Sequence, residues 1–229
     1  VSCADAVLEK DRHYTWRVRV WDEADTPSAW SESSDFSILT SEAAFAGSEW
    51  IGAITRKDAH LPEGRKYHGS ELKKPEAKAA WAAVDTLAKK SIYLRREFYV
   101  AKKVKDATAY VCGLGFYEFS LNGEKVGDSE FAPLWSDYDK SVYYNTYDVT
   151  SQVKKGGNAI GVLLGNGFYN VQGGRYRKLQ ISFGAPTLRF RMVVNYEDGT
   201  CETIVSGKDW KYDFSPVLFN CIYGGEDYD

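Results

Sequence analysis

The chain has 229 residues, with 29 Lys or Arg against 32 Asp or Glu and a net charge of −3. That length can bury a substantial core, and the absence of any long block of one sign argues against a nucleic-acid partner. No run approaches the roughly 20 apolar residues that cross a bilayer as a helix, so no membrane partner is expected.

Aromatic residues stand out: 16 Tyr, 11 Phe and 7 Trp. Such a load suits pleated sheets, where rings pack across strands. It also suits sugars, because the CH face of a pyranose lies flat on a ring. The sequence opens on Val1 rather than Met; the expectation is a trimmed start, so the lack of a leader says nothing of the compartment. Cys3, Cys112, Cys201 and Cys221 are widely spaced, with no C-x-x-C pair and no neighbouring His, which argues against structural zinc. Cys112 and Cys201 lie in strand-like runs and are expected to be buried free thiols.

In chain order, Tyr14–Asp22 alternates bulky apolar residues (Tyr14, Trp16, Val18, Val20) with Thr15, Arg17 and Arg19. This pattern predicts a strand with one buried face. A weaker strand follows over 28–39. Two strands make no stable domain, so residues 1–48 read as the tail of a β-domain. Residues 49–90 read as a linker with one amphipathic helix over Pro75–Lys90, started by Pro75 and docked by Trp81. From Ser91 onward, about eight strand-like runs rich in Val, Ile, Tyr, Phe and Thr are separated by NG, GG and DG turns. The fold class predicted is all-β: a jelly-roll β-sandwich over 91–229, with one short inserted helix and a partial fibronectin/Ig-like β segment at the N-terminus. The last residues, GGEDYD, are expected to be a cut rather than a natural terminus.

No chemistry-bearing constellation is marked. His13, His60 and His68 lack a nucleophile at catalytic spacing. Gly113, Gly115, Gly123 and Gly127 do not form a phosphate-binding fingerprint and suit turns and close backbone approaches. Asp and Asn cluster at 122–128, 137–139 and 166–170. Such oxygens serve turns through local hydrogen bonds, or a Ca2+ ion or a sugar. For calcium the candidate donors are Asn122, Asp128 and Asn166. For a sugar, the candidate rim is Trp135, Asp137, Tyr138, Asn166, Phe168 and Tyr169, a stacking platform beside hydrogen-bonding groups. No catalytic pair of carboxylates is distinguished, and no cofactor is required.

Five motifs in order then carry a resemblance: LRREF (94–98), GLGFYEFSLNGEKVGD (113–128), APLWSDYDKSVYYNTYDVT (132–150), GGNAIGVLLGNGFYN (156–170) and GGEDYD (224–229). Together they resemble the N-terminal β-sandwich module of bacterial α-L-rhamnosidases. YTWRVRVWDEADTPSAWSE followed by EWIGA resembles the end of the fibronectin-like domain that precedes it. Two positions depart from the family pattern: Phe168 stands where a Trp is usual, and Pro133-Leu134-Trp135 replaces P-G-W. The resemblance implies a non-catalytic accessory module of an inverting glycoside hydrolase whose acid and base lie in a downstream (α/α)6 barrel, roughly 6.5–9.5 Å apart. It implies a rhamnose-containing glycan as partner, bound with calcium in some relatives, and a periplasmic or secreted setting. A free-standing lectin and a purely structural spacer remain the alternatives.

Overall fold

The computed structural model describes residues 12–38, 41–63, 67–173 and 179–229. The chain divides into two units, 1–46 and 47–229. Cys3 lies outside the described residues.

In the first unit, β1 (Arg12–Trp16) and β2 (Ser34–Ile38) pair antiparallel. Strand β1 is shorter than the alternation predicts, and the expected buried face does not form: Trp16, Val18 and Val20 are exposed. The cause is local. The amides of Val18 and Val20 donate to the hydroxyls of Ser31 and Ser28 instead of to carbonyls, while their own carbonyls accept from the Ser31 and Ser28 amides, so the ladder continues only in half. Arg17 and Arg19 then lie over the rings of Trp21 and Trp30, covering apolar surface with guanidinium planes. A short helix, α1 (Ser41–Ala44), follows.

The second unit is a β-sandwich. Its strands are β3 (Ile92–Val100), β4 (Val104–Leu114), β5 (Tyr117–Leu121), β6 (Glu124–Lys125), β7 (Asn145–Asp148), β8 (Gly156–Leu164), β11 (Thr187–Tyr196), β12 (Cys201–Val205) and β13 (Lys211–Phe214). One antiparallel sheet runs β12-β11-β4-β7, the other β13-β3-β8-β5-β6. Successive strands cross repeatedly between the layers, the habit of a jelly roll. Two small ribbons are added: β9 (Asn170–Val171) with β10 (Ile181–Ser182), and β14 (Val217–Cys221) with β15 (Gly225–Tyr228).

Period-two burial sets the core. Along β11, Leu188, Phe190, Met192, Val194 and Tyr196 turn inward; along β8, Ile160, Val162 and Leu164 do the same. Phe119 of β5 meets Phe190 of β11 across the layers, ring centroids 5.5 Å apart in an edge-on contact, the geometry that aromatic quadrupoles favour. The NG turn between β5 and β6 places Asn122 and Gly123 both at positive φ, as a tight two-residue hairpin turn requires.

Residues 49–90 belong to the same unit as the sandwich. Ile51 bridges Leu188 and Glu49 donates to the carbonyl of Ser206, so this segment continues the line of β12 along the sheet edge. The expected helix is divided: α2 covers Pro75–Ala82, and a 3₁₀ turn covers Thr86–Lys89. Asp85 causes the break, its carboxylate accepting from the amide of Leu87 at 2.8 Å and starting a new turn. Trp81 packs against the small cluster of Ala59, Leu61, Val84, Ala88 and Ala185, as docking predicts. The cysteine expectation needs correction: Cys112 and Cys221 are buried free thiols, but Cys201 is exposed, because it opens the edge strand β12 where only Ile204 reaches the core.

Candidate functional site

The loop that follows β8, Gly165 to Asn170, supplies one wall of a cavity at one end of the sandwich. Gly167 has φ +52°, and a Cβ there would meet the Phe116 amide nitrogen at 2.8 Å. Only glycine fits that approach, and it projects Phe168 outward. Trp135, from the loop between β6 and β7, stacks on Phe168 at 4.9 Å and 22°. Phe168 is braced edge-on by Phe116 and Tyr223. Trp135 remains 62% exposed, so the pair forms a supported platform with one accessible ring.

Beside it lies a cavity of about 600 Å³ walled by His68, Trp135, Asp137, Tyr143, Phe168 and Phe183. Asp137 is held by its backbone and by an ion pair: its carbonyl accepts from Lys140 and Ser141, and its carboxylate lies 3.0 Å from the Lys140 ammonium. The His68 ring Nδ1 sits 3.2 Å from the carbonyl of Gln180. A largely apolar cavity with a few polar groups at its edge has the form of a small-ligand site.

Three of the six expected rim residues therefore share this cavity: Trp135, Asp137 and Phe168. The other three do not. Asn166 is 1% exposed and serves as an internal bracket. Its amide nitrogen donates to Asn220 Oδ1 at 2.7 Å, its Nδ2 donates to the Lys89 carbonyl at 2.9 Å, and its Oδ1 accepts from Asn170. Tyr138 packs edge-on against Tyr169 and tilts on Phe183; burial pushes its phenol up to about 12. Tyr169 lines a separate cleft on the flank. The sequence missed His68, Tyr143 and Phe183. Phe183 follows β10 and His68 precedes α2; nothing in their local sequence links them to Trp135, because only the fold brings the segments together.

The calcium donors are not brought together. Asn122 lies opposite Ala159 near the start of β8, donating to the Gln152 carbonyl and accepting from Ala159. Asn166 lies just past the other end of β8, seven residues farther at about 3.4 Å each. Asp128 is exposed on a separate loop. Amide oxygens already committed to other donors, the Ala159 backbone N–H for Asn122 and the Asn170 side-chain amide for Asn166, and set at opposite ends of a strand, do not fit one ion that needs six to eight oxygens.

Residues 102–229 match the family described as the α-L-rhamnosidase N-terminal domain, and residues 1–39 match a Rha78A-like, N-terminal immunoglobulin domain. An α-L-rhamnosidase of Formosa agariphila is 37% identical over 97% of this chain and 23% of its own length. One from Alteromonas sp. is 30% identical over 93% of this chain and 21% of its own. The chain thus spans less than a quarter of these curated relatives. Among solved structures, the α-L-rhamnosidase of Aspergillus terreus superposes with a TM-score of 0.75 at 28% identity, over 98% of this chain and 23% of that one. The enzyme of Dictyoglumus thermophilum gives 0.68 at 33%, over 97% and 23%. With its sandwich built on the matched residues, the chain belongs to the α-L-rhamnosidase N-terminal domain family.

Proposed function

We propose that this chain is a non-catalytic accessory module of an α-L-rhamnosidase and that its end cavity holds a terminal α-L-rhamnose of the glycan. The stacked Trp135–Phe168 pair beside Asp137 carries this reading. A deoxyhexose presents a methyl group and an apolar CH face, whose removal from water against an exposed indole is favourable. Its hydroxyls reach Asp137 and His68 on the adjoining wall. The parent's general acid and water-activating base belong to a downstream (α/α)6 barrel that hydrolyses with inversion. Calcium has no part in this reading, because the three proposed donors do not fit a single ion.

Isothermal titration of the 229-residue chain with L-rhamnose, in calcium and in EDTA, tests this. Binding is expected under both conditions. Trp135→Ala abolishes it while moving the thermal midpoint by less than about 2 °C, since surface substitutions lie within about 0.5 kcal/mol. A larger drop marks Trp135 as core, absence of heat in both conditions leaves a spacer, and turnover of an aryl rhamnoside by the chain refutes the non-catalytic assignment.

A further inference from the structure

A second cavity, about 830 Å³, opens on the flank of the sandwich. It lies where the two layers part: the 49–55 segment borders one sheet edge, β13 borders the other, and the buried Leu94 and Trp210 are at its base. Two rings on its walls face solvent, Trp50 at 43% and Tyr212 at 54% exposure. Neither is needed to close the core, since Trp210 beneath them fills that role, its indole donating to the Val205 carbonyl.

Three cations and two carboxylates line this cleft. Arg56, Lys208 and Lys211 line it, and among the described residues none of the three has an ion-pair partner. The two carboxylates of the cleft make no ion pair with these cations, and the lining keeps one net positive charge, three cations against two anions. Asp58 accepts from the Thr55 hydroxyl at 2.6 Å, and Glu49 lies over Gly207. Arg56 is held in place by donating through Nη2 to the Pro62 carbonyl, while its Nε is buried without a partner. Arg56 also sits close enough to the Tyr169 hydroxyl to act on it electrostatically. That hydroxyl is turned toward Gly184, where a Cβ would stand 2.9 Å away. A positioned guanidinium, a phenol and two free ammoniums beside exposed rings form a site for an anion that carries an apolar face.

We propose that this flank cleft is a second saccharide site, selective for acidic sugars, in which a uronate packs against Trp50 and Tyr212 and its carboxylate is met by Arg56, Lys208 and Lys211. A carboxylate gains bidentate, charge-assisted hydrogen bonds from a guanidinium, and the lysines add attraction that salt screens. The proposal is independent of rhamnose binding at the end cavity and survives its failure.

The test is titration of the 229-residue chain with trigalacturonate, with a neutral galactose trisaccharide as control. Trigalacturonate binds, and raising NaCl from about 50 to about 300 mM weakens it about fivefold. The neutral trisaccharide binds about tenfold more weakly or not at all. The double variant Lys208→Gln/Lys211→Gln and the single variant Trp50→Ala each lose about tenfold, with far-UV and near-UV circular dichroism unchanged. Trp135→Ala leaves trigalacturonate binding intact. Equal binding of the neutral sugar, salt-independent binding, no binding at all, or loss of binding in Trp135→Ala each overturns the proposal. Should a variant fail to fold, the salt series and the neutral control on the unmodified chain still decide it.

Discussion

Gly115 joins β4 to β5 with φ +126°, and a Cβ there would fall 2.1 Å from the Gly165 carbonyl oxygen. No side chain fits without moving the loop that carries Phe168. Gly115→Ala is therefore expected to cost about 3 kcal/mol or more in urea unfolding. Gly123→Ala, at φ +84° with open space around it, costs about 1 kcal/mol. The sequence marks both as glycines of turns and close approach, but their different severity lies in a carbonyl fifty residues away. Asn166 shows the opposite outcome. An amide in a loop has the same letter whether it meets a ligand or ties Lys89 to Asn220, and only the buried partners decide. Cys112 adds a pH dependence. Burial pushes its thiol from 9.0 up to about 12. The folded chain keeps a proton that the unfolded chain releases, so this contribution is complete below about pH 9 and falls away as pH rises toward 12. Urea midpoints measured at pH 8 and pH 10.5 should decline, and iodoacetamide at pH 8 should label Cys201 well before Cys112.

At the scale of elements, β3, β4, β5, β8 and β11 follow the period-two runs of the sequence closely, since each has one face against the opposite sheet. Where that condition fails, so does the pattern. In the first unit, serine hydroxyls and arginine–indole stacking replace half of the ladder after Trp16. The helix over 75–90 breaks at Asp85 because a carboxylate that can cap a turn competes with continued helix. β13 and the β14–β15 ribbon were hidden, with four or five residues each and little alternation. Core position should dominate energetics. Phe119→Ala, removing the ring that spans both sheets, is expected to cost about 3–5 kcal/mol. Tyr99→Ala on β3, 70% exposed, should stay within about 0.5 kcal/mol. Chemical denaturation of the two variants side by side checks the difference.

For the whole molecule, the layered architecture was legible because aromatic and branched residues at short, regular spacing have few other ways to bury themselves. The end cavity was half legible. Trp135, Asp137 and Phe168 sit in loops whose composition suggests recognition, whereas His68 and Phe183 join them only through chain crossings between layers. The flank cleft was not legible at all. Its residues come from 49–58, 94, 169, 183–187 and 207–212, and no short stretch contains enough of them to stand out.

Phe183 borders the end cavity and the flank cleft alike. Its ring, packed with those of Tyr138 and Tyr169, belongs to the wall of both. A glycan long enough to pass around that wall would present a neutral, methylated unit on one side and a charged unit on the other.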